Sequence, residues 1–116
     1  MGIKIKLMAD YGCEPLWWAD EDKVGNIQPE TLPLTDETIK RLQKWAIAYS
    51  ETLNWSDPAN SPGFGSEEAR KAFAQEGISL WKQLRQELAP DYEVIYFSEQ
   101  LGELCFSPEK CKLLGK

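Results

Sequence analysis

Residues 3 to 8, IKIKLM, place Ile3, Ile5 and Leu7 on one side and Lys4 and Lys6 on the other, the period-two pattern of a half-buried strand. Tyr92 to Phe97, YEVIYF, is dense in β-branched and aromatic residues and predicts a second strand. Gln100 to Gly102 can turn the chain back into a short third strand at Glu103 to Phe106. Two stretches between these strands follow the helical period instead. In the first, Thr35 is an N-cap with Asp36 and Glu37 in the first turn, and Ile39, Leu42, Ala46, Tyr49 and Leu53 recur three or four apart. Asn54 to Gly65, NWSDPANSPGFG, ends that helix. Ser66 caps the second helix, Glu67 and Glu68 follow it, and Ala69, Phe73, Gly77, Leu80, Leu84 and Leu88 form its stripe until Pro90 stops it. Ala74, Ile78 and Trp81 widen that stripe to roughly half the circumference, more than one flat contact covers. Phe73, Leu80 and Leu84 are expected to face the sheet, and Gly77 to mark close approach by another backbone or a large ring.

From Ala9 to Leu34 no period survives, and Pro15, Pro29, Pro33, Gly12 and Gly25 break any long element. A structureless stretch of about 26 residues is too long for a compact domain unless it is functional or hides short elements. Tyr11, Trp17 and Trp18 indicate that it packs. Ser107, Pro108 and Glu109 read as N-cap, first-position proline and first-turn acid of a short C-terminal helix ending near Gly115. The expected fold is a single α+β domain over residues 1–116, with a long aromatic and acidic loop at 9–34. It is a two-layer sandwich: a small mixed or antiparallel sheet of about three strands, covered by two long helices, plus the short C-terminal helix.

The 116 residues suffice for one core, and no apolar run is long enough to span a membrane. The N-terminus lacks a signal-peptide pattern, so a cytoplasmic location is expected. Thirteen bases against nineteen acids give a net charge of −6, which argues against nucleic acid and anionic membranes as partners. There is no histidine, which excludes Ser-His-Asp and Cys-His catalysis and His-ligated zinc. The three cysteines, Cys13, Cys105 and Cys111, are odd in number and lack Cys-x-x-Cys spacing. They should be reduced thiols, with Cys105 buried.

Asp10, Tyr11, Cys13 and Glu14 follow the first strand directly, where loop residues often carry function. A carboxylate, however, is a poor base for a thiol and raises its pKa. Asp20 to Asn26 begins like a calcium loop, but Val24 and Thr31 stand where ligands are required, so no metal is expected. No cofactor motif is present either. Charge is more informative. Residues 9–37 hold eight acids and one base, a net of −7, and the remainder of the chain nets +1. Acids that steer and tryptophans that anchor would suit a basic protein partner, with Trp17, Trp18, Asp20, Glu21 and Asp22 as the contact residues. Against this stands the simpler arrangement, in which the tryptophans are lids on the core and the acids a solvated loop.

The stretches DYGCEPLWW (Asp10 to Trp18), VGNIQPETLPL (Val24 to Leu34) and DYEVIYFSEQLG (Asp91 to Gly102) resemble a group of small bacterial proteins without an established activity. That resemblance, carried by a DYGCxPLW-type motif, implies a shared fold and transfers no catalytic residue. In size and acidity the chain is also similar to immunity proteins and antitoxins that neutralise toxins, among them nucleases. Two functions follow. The leading one is a non-enzymatic cytoplasmic interaction domain, of the immunity, antitoxin or regulatory kind, that occludes a basic protein with its 9–37 segment. The alternative is a small-molecule-binding or enzymatic domain with a pocket lined by the Asp10–Trp18 loop.

Overall fold

The computed structural model describes residues 3–20, 23–53, 56, 59, 63–89, 91–98 and 103–105. Its strands are β1 (Ile3–Leu7), β2 (Leu16–Asp20), β3 (Lys23–Ile27), β4 (Tyr92–Ser98) and β5 (Glu103–Cys105), and its helices are α1 (Asp36–Ser50) and α2 (Glu67–Leu88). The strands form one mixed sheet in the order β3-β2-β1-β4-β5, in which β1 runs parallel to β4 and every other pair is antiparallel. The α+β layering is as expected, but the sheet has five strands where about three were predicted. The predicted terminal helix at 107–115, the 100–102 turn and Cys111 lie outside the described residues.

The segment from 9 to 34 is not one loop. It contains the β2–β3 hairpin and a 3-10 turn at Pro29–Thr31. Its periodicity is hidden because Trp17 and Trp18 are adjacent and therefore point to opposite faces of β2, so apolar residues occupy both sides of the strand.

Register defines the two faces of the sheet. Ile5 sits opposite Trp18 and Val94, and Leu7 opposite Leu16 and Tyr96. These side chains, with Ile27 and Cys105, join the helices in one core cluster. The other face carries Lys4, Lys6, Trp17, Glu93, Ile95, Phe97 and Leu104.

Both helices start where their caps predict. The Thr35 hydroxyl accepts from the Thr38 N–H at 3.3 Å, and the Ser66 hydroxyl accepts from the Ala69 N–H at 3.1 Å. α2 ends as Ala89 turns extended (φ −70°, ψ 149°), the conformation that a following proline enforces. The helices lie antiparallel. Glu87 near the end of α2 accepts from the Thr35 N–H at 2.8 Å, from the Thr38 hydroxyl, and from Gln83 Nε2 at 2.7 Å. Midway, Arg41 grips Glu76 through two bonds of 3.0 and 3.1 Å and donates to the Ser79 hydroxyl. Farther along, Trp45 stacks on Phe73 with centroids 4.6 Å apart and planes 6° from parallel.

Trp45, absent from the predicted stripe of α1, is 4% exposed, and its indole N–H donates to the Phe73 carbonyl. Phe73 is therefore turned toward α1 rather than the sheet, and Trp81 reaches the sheet instead by donating to the Val94 carbonyl at 2.8 Å. Gly77 is where α2 meets both α1 and the sheet. An added Cβ would sit 2.6 Å from the Tyr96 hydroxyl and 2.9 Å from Trp45, so the large ring anticipated beside it is in fact two.

Candidate functional site

The candidate residues fall into two groups at opposite ends of β2. At the tip of the β2–β3 hairpin, Asp20 lies opposite Lys23; Glu21 and Asp22 are outside the described residues. Trp17 and Trp18 do not form one anchor. Trp17 is on the outer face, its indole N–H donates to the Met8 carbonyl at 2.9 Å, and the Lys6 ammonium sits 5.9 Å from its ring centroid. Trp18 is on the helix side, half-buried against the core, with Lys23 4.6 Å from its ring. A single docking surface can use one of these tryptophans, not both.

At the other end, the turn linking β1 to β2 brings Asp10, Tyr11, Cys13 and Glu14 together. The Asp10 carboxylate accepts from the Tyr11 N–H at 2.8 Å, and the Asp10 carbonyl accepts from the Cys13 N–H at 3.3 Å. Gly12 adopts φ +68°, a left-handed angle that favours glycine, and its N–H donates to the Ser50 hydroxyl at the end of α1. Asn26 on β3 holds the far side of the turn: its carbonyl oxygen accepts from the Glu14 N–H, and its amide donates to the Glu14 and Leu16 carbonyls. Tyr11 lies nearly flat on Tyr49, with centroids 4.7 Å apart and planes 20° from parallel. Tyr49 in turn meets Phe64 and Phe73. The turn is thus braced from α1 and from β3. Cys13 is half-buried with a free thiol, and Cys105 is buried as expected.

These contacts bring together the β1–β2 turn, the end of α1 and the start of α2. No lysine or arginine occurs from residue 7 to 22, nor from 45 to 69. α1 has no base in its last turn, so its negative dipole end is not offset locally. Glu51 caps it, and Glu67 and Glu68 open α2. Tyr49, Ser50, Phe64 and Asn26 were not singled out as site residues from sequence. Tyr49 has the spacing of a core residue, and Asn26 has the composition of a turn breaker.

Residues 3–99, from β1 through β4, match the family described as Serratia CdiI immunity protein-like. The chain belongs to that family. A comparison with curated proteins returned no match. Membership supports an immunity-type role, in which the working surface is one that binds a protein toxin. Both ends of the acidic segment and both helices fall inside the matched span. No described helix is long and apolar enough to cross a membrane.

Proposed function

We propose that this chain is a cytoplasmic immunity protein that binds a basic protein toxin, such as a nuclease, and blocks it by occlusion. The family match over residues 3–99 carries this reading, and the net charge of −7 over residues 9–37 supplies the sign of the partner. Carboxylates around a docking site accelerate encounter with a basic protein and disfavour acidic ones. Neither function requires a catalytic group on this chain.

The test is capture with the tagged full chain from its own cell, identification by mass spectrometry, and expression of the captured protein with and without this chain. A basic protein that arrests growth alone and is silenced by co-expression is the expected result. Exchanging Asp20, Glu21 and Asp22 for Asn, Gln and Asn should slow association and flatten its salt dependence, because exposed charges act over a Debye length of about 8 Å. An acidic captured protein, or one whose growth arrest this chain does not relieve, would overturn the proposal.

A further inference from the structure

The outer face of the sheet is not uniformly exposed. Both described helices lie on the opposite face, in the core cluster with Val94 and Tyr96. Ile95, between those two residues, points the other way and yet is only 6% exposed. Side chains on a sheet stand upright, so neighbours screen a residue's flanks more than its tip. The register places Lys6 beside Ile95 and Trp17 beyond Lys6, and both are half-buried. The rows on either side are open. Lys4 and Glu93 are exposed on one, and Leu104, opposite Phe97, is 41% exposed on the other. Burial on this face therefore follows one stripe across the strands, Ile95–Lys6–Trp17, and Asn26 beyond Trp17 is exposed again. Neighbouring rows are about 6.6 Å apart, twice the rise per residue, so a single helix of about 10 Å diameter has the width to cover the stripe.

We infer that the chain's own C-terminal segment, residues 106–116, crosses the outer sheet face and covers this stripe. β5 ends at Cys105, opposite Tyr96, so one further step in the same register falls beside Ile95. The segment thus starts at the most buried point of the stripe. From there to Trp17 is three strand spacings, about 14 Å. The helix that Ser107 and Pro108 predict, up to Gly115, is about 13 Å long at about 1.5 Å per residue. In that helix Cys111 and Leu114, three apart, share the face turned to the sheet, and Glu109, Lys112 and Lys116 are turned away from it. Phe106, one residue after Cys105, alternates to the same side as Leu104 and extends the apolar contact. Covered in this way, Trp17 serves the chain's own tail and not a protein partner.

The experiment uses the full chain with Cys13→Ser, which removes the half-buried thiol, and adds either Lys6→Cys on the outer sheet face or Lys82→Cys on the exposed side of α2. Each dilute protein is oxidised with copper phenanthroline, and the disulfide is assigned by mass spectrometry of its peptides. An intrachain disulfide from position 6 to Cys111 should form at least about tenfold faster than one from position 82, because docking raises the effective concentration of the tail thiol. In the otherwise native chain, Leu114→Asp should raise fluorescence of the dye ANS at least about twofold by uncovering Ile95 and Phe97. The dye measurement needs no added cysteine, so it decides the matter if Lys6→Cys does not fold. Equal disulfide rates at 6 and 82, a disulfide from position 6 that joins two chains, or unchanged ANS fluorescence in Leu114→Asp would overturn the inference, and the immunity role would stand.

Discussion

Replacing Gly77 by alanine sets two known effects against each other. In an exposed helix interior the exchange is stabilising by about 1 kcal/mol, because alanine restricts the unfolded chain more. Here the new methyl would lie 2.6 Å from the Tyr96 hydroxyl oxygen, 2.9 Å from Trp45 Cζ2 and 3.1 Å from Tyr96 Cζ. Neither ring can retreat cheaply. Tyr96 is 1% exposed, and Trp45 is pinned by its stack on Phe73 and its bond to the Phe73 carbonyl. Overpacking costs about 1–3 kcal/mol, and two contacts below 3.0 Å put this site in the upper half of that range, so a net loss of roughly 1–2 kcal/mol remains after the helical gain. For a domain of this length that lowers Tm by about 3–10 °C. Urea unfolding followed by tryptophan fluorescence measures it, with an unchanged m-value as the check that only stability moved. Tyr96→Phe removes the nearest atom, so Gly77→Ala should cost less in that background, by about 0.5–1.5 kcal/mol. A stabilised Gly77→Ala protein, or a penalty identical in both backgrounds, would refute this account of the layer contact.

Three further outcomes follow from the packing and the caps. Burial pulls the Glu87 carboxyl upward, but the hydrogen bonds from Thr38, Thr35 and Gln83 outweigh it and hold the group below the ordinary glutamate value. Its stabilisation is therefore full above the unfolded value of about 4.3 and is lost as pH falls through the lower folded value. Glu87→Gln should destabilise the protein at pH 7 and converge on the parent as the pH falls through the lowered folded value, in a series of urea midpoints. Ser66→Ala should cost about 1 kcal/mol by removing the cap of α2, and Ser66→Asp should restore it in the same assay. Leu84→Ala, at a fully buried position, should cost about 2–5 kcal/mol, and an unmoved midpoint would mean the helix face is misassigned.

β1, β4 and the helix starts were legible because each has a single buried face or a capping residue with one role. The hairpin was not. Its two strands are five residues long, one carries adjacent tryptophans on opposite faces, and the other contains Gly25 at φ +103° and an asparagine whose side chain bonds the neighbouring turn. Residues that look like breakers are here serving tertiary geometry. Trp45 escaped the α1 stripe because α1 buries more than a single line of side chains; Trp45 and Ala46 are both buried. Leu53, counted in that stripe, lies beyond the helix end at Ser50. For the candidate site, the charge imbalance was visible but its division between two ends was not. Nor was the pairing of Tyr11 with Tyr49, which depends on a chain reversal through the whole hairpin.

The parallel pairing of β1 with β4, from Ile3 opposite Tyr92 to Leu7 opposite Tyr96, sets the schedule on which this chain can mature. β4 is an inner strand of the sheet, and it is made about nine seconds after β1 at a synthesis rate on the order of 10 residues per second. Through that interval the β1–β2–β3 meander has an open edge at β1, and the nascent α2 shows Trp81 and Leu84 to its surroundings without the strand that covers them. Contacts this distant in sequence fold slowly for entropic reasons. A ribosome that stops before residue 92 therefore releases a sheet missing a central strand, a species prone to pair with whatever strand it meets first.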